Sequence, residues 1–170
     1  VEGCSIEAGQ DLVVSSSVQG QDYGVIQAHR SVYAKYLEHC RVYAQESVQS
    51  DCVIDCEVYS NGTVRVRTGR GVIIGGTIRA AQEVDAATVG SKAEHATTII
   101  LGGMPCEDLE RRQIQAEVEA AEAALQALED TPESLDRNQA LSKQRMGLYV
   151  AQMKLKRLEK SARQHLPPPP

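Results

Sequence analysis

One phrase recurs along the first part of this chain, and few architectures can accommodate it. An aliphatic residue, then any residue, then a small one stands at Ile6–Ala8, Ile26–Ala28, Val42–Ala44, Val58–Ser60 and Ile78–Ala80, with a partial copy at Ile99–Leu101. The steps between copies are 20, 16, 16, 20 and 21 residues. Six positions after each full copy stand Leu12, Val32, Val48, Val64 and Val84, all aliphatic. A third apolar group follows at Val18, Leu37, Ile54, Ile73 and Val89, and small or polar corners such as Gly9-Gln10-Asp11 and Asn61-Gly62-Thr63 lie between the groups. Repeats of this length signal units that cannot bury their apolar face alone and must stack on their neighbours.

The expected geometry follows. Each copy makes three short strands joined by tight corners. Stacking sets Ile6, Ile26, Val42, Val58 and Ile78 in one internal ladder, and Leu12, Val32, Val48, Val64 and Val84 in a second. Composition agrees. Trp and Phe are absent, and the aromatics are six Tyr. A core that is thick in the middle uses large rings to fill it; a narrow prism is filled by β-branched aliphatics and Ala. The uneven steps place insertions at one corner, with Gly20–Tyr23 and Thr68–Gly71 as bulging loops. Asn61-Gly62 suits a corner that needs positive φ. Asn61-Gly62-Thr63 also matches the glycosylation pattern, but the corner is the preferred reading.

The rhythm changes at Gly102-Gly103-Met104-Pro105. Before it the pattern has period two; after it the period is helical. The expected domains are a β-solenoid over 1–104, an antiparallel helical hairpin over 105–165 and a Pro-rich tail over 166–170, so the fold class is mainly β with α. Ile114, Val118, Ala121, Leu125 and Leu128 form a heptad seam. Thr131, Pro132 and Glu133 suit the cap and first turn of a second helix, which carries Leu141, Leu148, Ala151, Leu155, Leu158 and Ala162. Residues 107–130 hold eight acidic and two basic side chains, and residues 131–165 hold three acidic and eight basic. That asymmetry favours a coiled coil folded back on itself. The second helix has a further apolar stripe, Met146, Val150 and Met153 with Tyr149 alongside. It needs a partner, either the solenoid end or another chain, and is the candidate partner-binding surface.

Signatures of chemistry are missing. No GxSxG, HExxH, P-loop or paired-carboxylate motif occurs, so no catalytic residue, cofactor or metal is expected. The net charge of -5 argues against nucleic acid. No run of about eighteen apolar residues offers a membrane span. Cys4, Cys40, Cys52, Cys56 and Cys106 fit no disulfide framework and read as reduced thiols in a cytoplasmic protein. Cys52 and Cys56 with His39 offer a conceivable metal site, but no second ligand pair stands at finger spacing. His29, His39, His95 and His165 read as surface residues. Gly69–Gly76 is glycine-rich yet opens no helix, so the glycines read as corner residues and not as a phosphate cradle.

Three longer phrases carry a resemblance: VEGCSIEAGQDLVV, VIQAHRSVYAKYLEHCRVYAQESV and GRGVIIGGTIRAAQEVDAATVGS. In this order, followed by a helical hairpin, they resemble the bacterial flagellar assembly protein A family over about residues 1–160. The resemblance implies a right-handed, single-strand-per-face β-helix related in style to bactofilins, and a cytoplasmic protein tied to flagellar assembly or cell-pole organisation. It also implies a separate N-terminal region, so the chain is expected to be part of a longer one. The leading expectation is a non-enzymatic scaffold that acts through protein partners, with homo-oligomers possible. One alternative is a bactofilin-like polymerising cytoskeletal element. Another is a hexapeptide acyltransferase, which keeps strict eighteen-residue turns and a catalytic His on a loop; here the steps drift from 16 to 21 residues.

Overall fold

The computed structural model describes residues 5–91, 96–129 and 135–164, with the side chains of residues 22, 23, 129, 135–137 and 161–164 left outside the description. The described strands are β1 (Ser5–Ala8), β2 (Leu12–Ala28), β3 (Ser31–Ala44), β4 (Ser47–Ile54), β5 (Glu57–Ser60), β6 (Thr63–Val66), β7 (Val72–Ile74), β8 (Gly76–Ala80), β9 (Glu83–Ala86), β10 (Thr88–Val89) and β11 (Thr97–Leu101). Two helices follow, α1 (Pro105–Glu129) and α2 (Leu135–Gln164). Every strand pairing is parallel. The result is a β-solenoid of about five turns followed by two helices.

Register confirms the first two ladders residue by residue. Ile6 pairs with Ile26, Ile26 with Val42, Val42 with Val58, Val58 with Ile78, and Ile78 with Ile99. Leu12, Val32, Val48, Val64 and Val84 pair in the same rung-to-rung manner. The central members of both ladders are fully buried, and burial falls toward the outermost coils. Ala28, Ala44, Ser60 and Ala80 form a further buried column beside the first ladder. Both ends of each recurring phrase therefore point inward, and the second must be small to fit beneath the corner. Ser60 meets its hydroxyl's needs there by bonding the Glu46 and Thr63 carbonyls.

The third ladder corrects the expectation. Val53, not Ile54, pairs with Leu37 and Ile73, and Val53 is fully buried while Ile54 pairs with Glu38 and Ile74. The regular coil advances six residues from Val42 to Val48, then five to Val53 and five to Val58. A slip of one residue moves a side chain to the other face of a strand.

Two further expectations change. Insertions do not gather at one corner. The first coil is lengthened where register shifts between Gln19 and Gly24, and the fourth is lengthened between Val66 and Val72. Asn61 and Gly62 do turn a corner, but neither has positive φ. Gly62 is needed instead for close approach, since a Cβ there would lie 2.0 Å from the Glu46 carbonyl oxygen. Left-handed residues serve another corner, the one between the third face and the first face of the next coil, at His39 (φ 48°), Asp55 (φ 47°) and Gly75 (φ 67°).

The outer surface carries ion pairs between successive coils: Arg30 with Asp11 and Glu46, Arg41 with Glu57, Arg65 with Glu83, and Arg67 with Asp85. Exposed pairs of this kind add little stability, because water and salt screen them, so they fix register more than stability. Tyr43 stacks on Tyr59 at 5.2 Å between ring centroids.

Contacts divide the chain after Cys106 into a solenoid unit and a helical unit. Pro105 and Cys106, the first residues of α1, thus belong to the solenoid. Within the helical unit Ile114 and Val118 of α1 pack against Leu148, Ala151, Leu155 and Leu158 of α2. Residues early in α1 sit beside residues late in α2, so the helices fold back on each other. The expected cap at residues 131–133 and the tail at 166–170 lie outside the described residues.

Candidate functional site

Helical period settles which residues α2 turns away from its packed side. Leu148, Ala151, Leu155 and Leu158 step by three, four and three and face α1. Residues offset by about half a turn face the other way. Met146, Tyr149, Val150 and Met153 fall there, and they are 65%, 60%, 46% and 54% exposed. Together they form an apolar patch exposed to water on the side of α2 away from α1.

The patch opens into a shallow groove of about 650 Å³ lined by Tyr149, Val150, Met153, Lys154, Lys156, Arg157 and Lys160. Three of the four residues expected from sequence are in it; Met146 is exposed on the same helix but does not line it. The four basic side chains were missed. Sequence reasoning assigned them to the acidic first helix, and Lys154 and Arg157 do line a second groove with Glu110 and Glu117 of α1. Lys156 and Lys160 line the first groove and not this second one. The groove thus has an apolar floor and a cationic rim.

The chemistry-bearing residues do not assemble. His29 is exposed, with Nδ1 3.2 Å from the Ala8 carbonyl oxygen. His39 turns a corner, and His95, His165 and Cys4 lie outside the described residues. Cys56 lies against Cys40, with 3.5 Å between the sulfurs. Among the described residues no group of three or more His, Cys, Asp or Glu is placed to hold a metal ion. Burial, first of all, raises the Cys52 thiol above its ordinary range. Gly75 and Gly76 turn the corner before β8, and the Gly75 N–H donates to Thr97 Oγ1 at 2.8 Å. Among the described residues no helix is long and apolar enough to cross a membrane.

The model of one protein family, described as Flagellar Assembly Protein A beta solenoid domain, matches residues 1–166. No curated protein and no solved structure matches the chain.

Proposed function

The chain belongs to the flagellar assembly protein A β-solenoid family, and from that premise we propose that it is a non-enzymatic scaffold acting through protein partners. The observation that carries this reading is the exposed patch on α2 with its basic rim. A stack of parallel coils resists bending because each rung bonds to the next along its length. Such a rod suits a part that holds other proteins at fixed spacing. The α2 patch supplies the adhesive surface, formed by Met146, Tyr149, Val150 and Met153. Its partner is an amphipathic segment whose apolar side is edged with Asp or Glu. In the cell this would be a component of flagellar assembly or pole organisation in the cytoplasm.

The test replaces Met146, Val150 and Met153 with Ser in the full-length protein. Affinity capture from the native cells should lose specific partners, while circular dichroism stays unchanged. Capture of the same partners at the same yield would remove the assignment. Reversal of Lys156 and Lys160 to Glu should weaken the same capture.

A second reading has its own support. Among the described residues, β11 bonds to β8 and no strand covers its other edge. Ile99, Ile100 and Leu101 on that strand are exposed. Open edges invite pairing with another chain, which would make the protein a polymerising element. Electron microscopy separates the two: filaments favour end-to-end stacking, and discrete particles favour the scaffold.

A further inference from the structure

Cys40 and Cys56 occupy one position on successive coils. Arg41 pairs with Glu57 and Val42 with Val58, which places the residue before each pair, Cys40 and Cys56, one above the other. Each follows a left-handed residue, His39 at φ 48° or Asp55 at φ 47°, so the two side chains leave the backbone in matching directions. Both point inward, and they are 3% and 1% exposed. Their sulfurs stand 3.5 Å apart.

The column ends in glycine on both sides. Gly24 pairs with Cys40. Gly76 stands on the far side of Cys56, with its would-be Cβ 2.2 Å from the Cys56 carbonyl oxygen. No third side chain competes for either sulfur from within the column. Adjacent strands lie about 4.8 Å apart, inside the span of about 4.4–6.8 Å between Cα atoms that a disulfide bridges. Closing the sulfurs from 3.5 Å to bonding distance is an approach of about 1.5 Å.

The pair is also asymmetric in charge. The Cys56 thiol donates to the Ile54 carbonyl at 3.1 Å, and the hydrogen bond between the two sulfurs, first of all, holds the Cys40 thiol below its ordinary range. The same bond, first of all, and then burial raise the Cys56 thiol. Of the two, Cys40 is the more readily ionised, and the thiolate is the form that attacks a disulfide.

We propose that Cys40 and Cys56 form a dithiol–disulfide couple that staples the second and third coils of the solenoid, with a low-molecular-weight disulfide as oxidant. The Cys40 thiolate attacks one sulfur of the oxidant, forms a mixed disulfide and releases one small thiol. Cys56, losing its proton, attacks the Cys40 sulfur and releases the second small thiol. Two protein thiols give up two electrons and two protons, and one small disulfide becomes two thiols. The bond closes a loop of sixteen residues, which restricts the unfolded chain and ties one rung to the next. This inference is independent of the α2 surface and concerns the rod alone.

The test is refolding of the whole chain from denaturant in glutathione buffers of graded oxidation, which makes access to the buried sulfurs irrelevant. Products are alkylated and mapped by mass spectrometry. The expected species lacks two hydrogens, yields a Cys40–Cys56 linked peptide, and melts several degrees above the reduced form until a reductant returns it. Cys52→Ala should keep the link, and Cys56→Ser should lose both the link and the melting shift. Recovery of Cys40 and Cys56 as alkylated thiols at the most oxidising ratio would overturn the proposal. So would a dominant Cys52–Cys56 link, or a linked form that melts below the reduced one.

Discussion

The side-chain oxygen of Asn61 accepts the backbone N–H of Cys106 at 2.9 Å, across 45 positions of chain. The first N–H groups of a helix have no partner inside it. Met104, just before α1, has no side-chain oxygen to offer, and Asn61 serves as the cap from the solenoid. Its nitrogen donates to Gln45 Oε1 at 2.6 Å, so both polar ends of a buried amide are used. The Cys106 thiol adds bonds to the Ala44 and Tyr59 carbonyls. Asn61→Ala removes the cap and leaves the Cys106 amide buried without that partner. The expected loss is about 1–3 kcal/mol in urea unfolding. Asn61→Asp keeps the accepting oxygen and should lose less. A change within about 0.3 kcal/mol for the alanine variant would mean the contact carries no weight.

Val53 and Ile54 give the sharpest contrast in the core. Deleting a fully buried aliphatic side chain leaves a cavity, so Val53→Ala should cost about 2 kcal/mol. Ile54 is only half-buried and sits outside the ladder, so Ile54→Ala should cost less despite removing more atoms. Chemical denaturation of both variants decides it. Equal losses, or a larger one at Ile54, would contradict the register.

That contrast also marks what the sequence makes legible. Ladders one and two could be read because the interval between them is six residues in every coil, and the pattern repeats five times. The third interval is six residues from Leu12 to Val18 but five from Val48 to Val53, so a six-residue step carried on from Val48 lands on Ile54, on the other face of the strand. The Cys40–Cys56 column and the Asn61 cap depend on which residues meet after stacking, which no local pattern encodes. On α2 the apolar stripe was visible through its helical period. The basic rim was hidden because Lys154 and Arg157 serve both the acidic arm and the open groove.

Gly76 combines two constraints. Its φ is +73°, and a Cβ there would meet the Cys56 carbonyl oxygen at 2.2 Å. A left-handed non-glycine residue costs about 1–2 kcal/mol, and overpacking adds about 1–3 kcal/mol. Gly76→Ala should therefore destabilise by roughly 3 kcal/mol. Gly90 has positive φ but open space around it, so Gly90→Ala should show the backbone cost alone. Gly9 has nothing within 4 Å and no positive φ, and Gly9→Ala serves as the neutral control. Thermal unfolding should rank the three in that order, and any other order would refute the assigned causes.

Alkaline pH should weaken the solenoid from within. The Cys52 thiol is raised chiefly by burial, the Cys56 thiol by its bond to Cys40, and the Tyr43 phenol by burial. In the unfolded chain thiols ionise near about 8.5 and phenols near about 10. Above those values the unfolded state releases protons that the folded state still holds, so unfolding becomes easier as pH rises. Stability from these groups is fully present below about pH 8.5 and declines above it. Cys40 acts in the opposite sense, because its lowered thiol ionises first in the folded state. Cys52 is the cleaner probe, since it is raised without a sulfur partner's hydrogen bond. Cys52→Ala will shift the whole stability curve by its packing loss, yet its decline between pH 8.5 and 10.5 should be shallower than that of the parent. Urea midpoints measured across that interval under reducing conditions give the slope. Parallel curves for the two proteins would show that Cys52 does not hold its proton in the fold.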